Sequence, residues 1–182
     1  MADVTRGPVT ARRAVAEAEV ALSQETLSAV IDGGIGKGDV LSVAELAGVM
    51  AGKRTADLIP LAHPAGLTGL VVSAAPDRAS GAVRIKAEAV ATGQAGVEME
   101  ALTAATVAAL TIYDMIRDVE PGAVVRSIRL VSSADGISDE WRRPGEAVEV
   151  SRPPKGVRTA GRIVPGPRGG VPFGPQPHKR TS

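Results

Sequence analysis

Between residues 14 and 22, small or apolar side chains stand at the even positions with Glu17 and Glu19 between them, a period of two that predicts a half-buried strand. Ser23 then has the chemistry to cap a short helix over residues 24–32, closed by Gly33 and Gly34. After a glycine-rich loop, Ser42 and Glu45 have capping-box spacing, so a second helix should start there and run to about Gly52. Pro60 and Pro64 push Ile59 and His63 out of helical conformation, which predicts an extended connection over residues 53–64. Residues 70–75 and 82–91 read as two strands joined by a loop at 76–81; in the second, Val83, Ile85, Ala87 and Ala89 alternate with Arg84, Lys86 and Glu88. A long helix over 97–118 is stopped by Pro121 and Gly122, and residues 124–132 form the last strand.

This succession predicts an α+β fold, the ferredoxin-like β-α-β-β-α-β unit with an extra helix, its antiparallel sheet carrying helices on one face. The long helix has two uncharged faces. Leu102, Ala105, Ala109, Ile112, Tyr113 and Ile116 make one; Thr103, Val107, Leu110 and Asp114 make the other, charged only in its last turn. A sheet covers one side of a helix, so the second face is expected to meet a second subunit.

Composition narrows the chemistry. The 182 residues include no cysteine, which removes disulfides, thiolate metal sites and cysteine nucleophiles. No metal is expected, because no second histidine or cysteine stands near His63 to complete a ligand set and the other histidine, His178, is remote. The longest uncharged run in the long helix is 13 residues, short of the roughly 20 a membrane span needs, and residues 1–7 lack an apolar signal core. The chain is therefore expected to be cytoplasmic. Residues 144–182 hold eight Pro, seven Gly and seven Lys or Arg against two Glu, which predicts a disordered basic tail behind a folded domain of residues 1–143. That domain is net negative and poor in aromatics, so no nucleic-acid partner is expected.

Several side chains are candidates for chemistry. The loop from Gly33 to Asp39 places Lys37 among glycines that let backbone amides approach an anion, although Ile31 and Gly38 stand where a Walker motif needs Gly and Ser or Thr. Lys53 and Arg54 precede His63, a candidate acid or base that is equally well read as structural. Asp114 and Arg117, three apart, can form an ordinary surface ion pair. Yet Asp114 follows thirteen uncharged residues on a face expected to be buried, where a carboxylate is costly unless paired or used.

Lys37-Gly38-Asp39, Lys53-Arg54-Thr55, the run DLIPLAHP at 57–64, GVEMEA at 96–101 and AALTIYDM at 108–115 resemble, in order and spacing, the cyclic pyranopterin monophosphate synthases, the molybdenum cofactor biosynthesis protein C family. The likeness spans roughly residues 2–141. It implies a ferredoxin-like fold, a homo-hexamer built as a trimer of dimers, and active sites at subunit interfaces. It implies conversion of 3′,8-cyclo-7,8-dihydroguanosine triphosphate to cyclic pyranopterin monophosphate with release of pyrophosphate and no redox cofactor. Carried over by motif, Asp114 would be the catalytic acid or base and Lys37 a catalytic lysine. His63, Leu61, Ala62, Met99 and Glu100 would line the substrate site, and Lys53 would face the triphosphate.

The chain departs from the family at Arg117, where a lysine is usual; arginine keeps the charge but does not give up its proton. Ser133 and Ile137 stand at two further lysine positions, Asp135 and Asp139 are added, and Ala62, Ala95 and Glu45 replace a usual cysteine, threonine and arginine. The competing function is a catalytically impaired relative that acts as a structural subunit or ligand-binding module.

Overall fold

The computed structural model describes residues 1, 3–5, 7–137 and 140–145. Its elements are β1 (Thr10–Ala21), α1 (Gln24–Ile31), α2 (Val40–Gly52), α3 (Thr55–Leu58), β2 (Leu67–Asp77), β3 (Ala82–Gly93), α4 (Glu98–Ile116), β4 (Val124–Ala134) and β5 (Trp141–Arg142). The sheet runs β2-β3-β1-β4-β5 and is antiparallel throughout. The first four strands of that order are the ferredoxin-like arrangement that the alternation predicts. The tail expected from residue 144 lies, beyond residue 145, outside the described residues.

The period of two in β1 does what it requires. Ala14, Ala16, Ala18 and Val20 face the helices and are at most 2% exposed, paired across β3 with Ala89, Ala87, Ile85 and Val83. The opposite face carries the charges, with Arg13 on Glu88 at 2.7 Å, Arg129 on Glu17 at 3.1 Å and Arg126 on Glu19 at 3.0 Å. Against the apolar face lies α4, whose Ala101, Ala104, Ala105, Ala108, Ala109, Ile112 and Ile116 are fully buried. This helix has the length and composition of a membrane span, but here it is the core helix.

Four expectations change. The capping box does not form as read. Asp39 is the N-cap of α2, its carboxylate accepting the Ser42 N–H at 3.0 Å and the Ser42 hydroxyl at 2.6 Å, so the helix starts at Val40. Glu45 is thereby free to accept the Ala74 N–H at 2.9 Å, an outward-facing amide of the edge strand β2. The connection at 53–64 is not wholly extended: Thr55, buried, bonds the Gly52 carbonyl at 2.9 Å and starts the single turn α3 before Ile59 becomes extended ahead of Pro60. Strand β2 runs through Pro76, which an edge strand tolerates because it needs no N–H there.

The second face of α4 is the fourth. Helix α2 of the same chain covers its N-terminal half, so closely that a Cβ on Gly48 would lie 2.9 Å from the Ala104 carbonyl and one on Gly52 would lie 3.1 Å from that of Glu100. Only the C-terminal half of that face is uncovered, with Leu110 54% exposed and Asp114 exposed beyond it.

Candidate functional site

Two constellations form, one at each end of α4. At the N-terminal end a cavity of about 240 Å³ is lined by Leu61, Ala62, His63, Met99 and Glu100, with Val4, Gln94, Ala95 and Gly96 completing it. The turn at Ile59, whose carbonyl accepts the Ala62 N–H at 3.0 Å, brings the proline-bracketed segment over the start of α4. The five residues named from the sequence as lining the substrate site share this one cavity. Lys53 is exposed at the C-cap of α2, on the same end of α4 but outside the cavity lining.

Glu100 is the chemically distinctive member. It lies in the first turn of α4, where an acidic side chain complements the helix dipole, yet it is only 3% exposed. Burial pushes its carboxyl above the usual range and the Glu98 charge adds to that, against a hydrogen bond to its own backbone that works the other way. A carboxyl held so can donate a proton as well as accept one.

The sequence reading missed the side chains that hold the cavity's far wall. Gln94 donates both amide hydrogens, to the Thr5 and Gly7 carbonyls at 3.0 Å each, and so ties the segment carrying Val4 to the β3–α4 connection. Arg12 binds the Gly93 carbonyl at 3.2 Å and the Gln94 carbonyl at 3.0 Å. Arg12 did leave a signal: it is a charged residue at one of the inward, even positions of β1. Asp3 also reaches this end. Its carboxyl is held below the usual range chiefly by Thr5, with His63 as a smaller electrostatic contribution.

At the C-terminal end of α4 the loop lysine arrives from the other side of the sequence. Gly38, at a φ of +104°, turns the chain into α2 in a conformation that suits glycine. The Lys37 Nζ donates to the Asp114 carbonyl at 2.6 Å and stands 3.8 Å from the Asp114 carboxylate and 3.4 Å from that of Asp118. Arg117 Nε lies 3.4 Å from Asp114 and 4.0 Å from Asp118. Lys37, Asp114 and Arg117 are therefore together, and Asp118, which the sequence did not single out, joins them. Asp114 is exposed in the single chain rather than buried, because α2 covers only the other half of that face.

The two constellations are fourteen residues apart on one rigid helix, about 21 Å at 1.5 Å per residue. Among the described residues no three His, Asp or Glu side chains converge in a way that could hold a metal ion.

Comparison with known proteins places this arrangement. The cyclic pyranopterin monophosphate synthase of Chloroflexus aurantiacus is 51% identical over 144 residues, covering 79% of this chain and 88% of that protein. The synthase of the same name from Chloroflexus aggregans is 48% identical over 147 residues, covering 81% of this chain and 89% of that protein. The model of the MoaC family matches residues 1–136, which include every element from β1 to β4 and both constellations, and the chain therefore belongs to the MoaC family.

Proposed function

We propose that this chain is a cyclic pyranopterin monophosphate synthase, a lyase of molybdenum cofactor biosynthesis. It converts 3′,8-cyclo-7,8-dihydroguanosine triphosphate to cyclic pyranopterin monophosphate and releases pyrophosphate. The observation that carries the reading is the pairing of a small cavity holding His63, Met99 and Glu100 with a cluster of Lys37, Asp114 and Arg117, in a chain about half identical to synthases of that name.

The residue types suit the reaction. Closing a cyclic phosphate while pyrophosphate departs builds negative charge on oxygen, which Lys37, Lys53 and Arg117 stabilise. Rearranging the ribose and guanine-derived rings needs proton donors and acceptors, the roles of Asp114, His63 and the buried Glu100. Leu61, Ala62 and Met99 supply the apolar walls and backbone groups against which the ring system lies.

The distance between the constellations makes the site a shared one. A two-fold axis crossing α4 near Val107, midway between Glu100 and Asp114, sets two copies of the helix antiparallel and brings Glu100 of one chain beside Asp114 of the other. The exposed Leu110 lies on this stretch and would be covered by such contact. Three dimers of this kind make the homo-hexamer. The working domain is residues 1–143, the tail from residue 144 is dispensable to it, and the enzyme acts in the cytoplasm on its nucleotide-derived substrate without a cofactor. Incubating the purified full chain with the cyclic nucleotide and following pyrophosphate tests the activity. No release above the uncatalysed rate, from a folded oligomer, would favour the impaired relative, for which Arg117 in place of lysine is the specific argument.

A further inference from the structure

The C-terminal cluster contains one charged side chain for which the reaction has no use. Asp118 sits one residue past the C-cap of α4, at the negative end of the helix dipole, where a carboxylate is disfavoured. It is 70% exposed at the side chain, so burial does not hold it there. What compensates is the pair of cations: Lys37 Nζ at 3.4 Å and Arg117 Nε at 4.0 Å. Lys37 does not depend on this contact for its position, since it already donates to the Asp114 carbonyl at 2.6 Å.

The charges balance without a ligand. Two cations face two carboxylates, Asp114 and Asp118, and the cations that a phosphate chain would engage are occupied by groups of the protein. We propose that Asp118 is an internal counter-anion that occupies Lys37 and Arg117 until the phosphate chain of the substrate displaces it, and that returns to them as pyrophosphate leaves. The proposal rests on reading Lys37 and Arg117 as phosphate-facing cations. Asp118 thus weakens binding of substrate and product alike, and its gain is release of a polyanion that two unopposed cations would retain. No bond is made or broken; one anion exchanges for another on the same ammonium and guanidinium groups.

The size of the effect follows from distance. A phosphate oxygen on Lys37 lies roughly 6 to 7 Å from the Asp118 carboxylate, where one pair of like charges in a water-like medium changes an equilibrium about threefold. Pyrophosphate carries several charges at different distances, so removing the Asp118 charge should tighten its binding about five- to tenfold at low salt.

The test is calorimetric titration of inorganic pyrophosphate into the full-length chain, as wild type, Asp118→Asn, Lys37→Gln and the double variant. The proposal expects Asp118→Asn to bind pyrophosphate about five- to tenfold tighter, the gain to shrink in high salt, and the gain to shrink when Lys37 is also replaced, Arg117 alone remaining. In turnover the same variant should show stronger inhibition by added pyrophosphate. Binding unchanged or weakened in Asp118→Asn overturns the proposal, as does a gain that is undiminished in the Lys37→Gln background. If Lys37→Gln alone binds pyrophosphate as the wild type does, it is the underlying reading of Lys37 that fails, and the proposal with it. Because Asp118 is exposed, the asparagine variant is expected to fold; circular dichroism on each sample verifies this.

Discussion

Mixing two inactive variants measures whether one site is made by two chains. Glu100→Ala and Asp114→Ala each remove one end of the proposed site, and both should fold. Asp114 is exposed, and its backbone carbonyl, which holds Lys37 at 2.6 Å, is untouched by the substitution. Glu100 is buried with a raised pKa, so its removal relieves a desolvation cost at the same time as it opens a small cavity. In an antiparallel dimer each site takes Glu100 from one chain and Asp114 from the other. A mixed dimer then has one site with both residues and one with neither. Random reassembly of equal amounts makes about half of the dimers mixed, with one working site in two, so about a quarter of wild-type activity should return in the unfractionated mixture and about half in an isolated mixed dimer. The two variants carry different tags, are unfolded and refolded together, and the mixed species is isolated by tandem affinity before pyrophosphate release is assayed. A mixed oligomer that forms but remains as inactive as its parents would show that each site draws both residues from one chain. The span of about 21 Å would then have to be bridged in another way.

Three further outcomes follow from particular contacts. Arg117→Lys should leave kcat/KM within about threefold, because Arg117 stands beside Asp114 as a charge; a tenfold or greater gain in a rate assay would mean that a proton passes through this position. Gly48→Ala should destabilise the fold by up to about 2 kcal/mol, since a gain of about 1 kcal/mol in helix propensity is set against about 1–3 kcal/mol of overpacking against the unyielding Ala104 carbonyl, and thermal melting would register the loss. Because the folded pKa of Glu100 lies above its unfolded value, the folded state binds the proton more tightly, and stability should fall as pH rises from the ordinary carboxyl range through the raised value. Denaturant titrations across that window should show Glu100→Gln losing this part of the decline, and an identical slope in both proteins would refute it.

How legible the molecule was in its sequence depends on the range of the interaction. The alternation in β1 and β3 reports directly on a sheet with one wet face, because each side chain's side is set by local geometry alone. Helix α2 starts three residues before the capping-box spacing implies, because two carboxylates, Asp39 and Glu45, are in reach of the same Ser42 amide and Asp39 takes it. The winner was decided by the loop that Gly38 turns, not by the four-residue pattern. Glu45 illustrates the same limit: its partner, the Ala74 amide, is set by where an edge strand passes beneath α2, which no local spacing encodes.

For the proposed site, sequence motifs picked out the candidate side chains and missed those that place them. His63, Met99, Glu100, Lys37, Asp114 and Arg117 stand in runs whose spacing is recognisable, and the fold gathers them into two groups at the ends of one helix. Gln94, Arg12 and Asp118 act through backbone carbonyls or through a neighbour's charge, so any residue able to make the same bond would serve, and their identity carries little pattern. The separation of the two groups is itself a consequence of the core. The alanines of α4 let β1 and β3 pack along it and α2 cover the N-terminal half of its other face, which makes it a largely buried rod whose charged side chains stand only at its ends. Charged groups on such a rod are held rigidly and kept apart, which is why the proposed site, drawing on both ends, calls for a second copy to complete it.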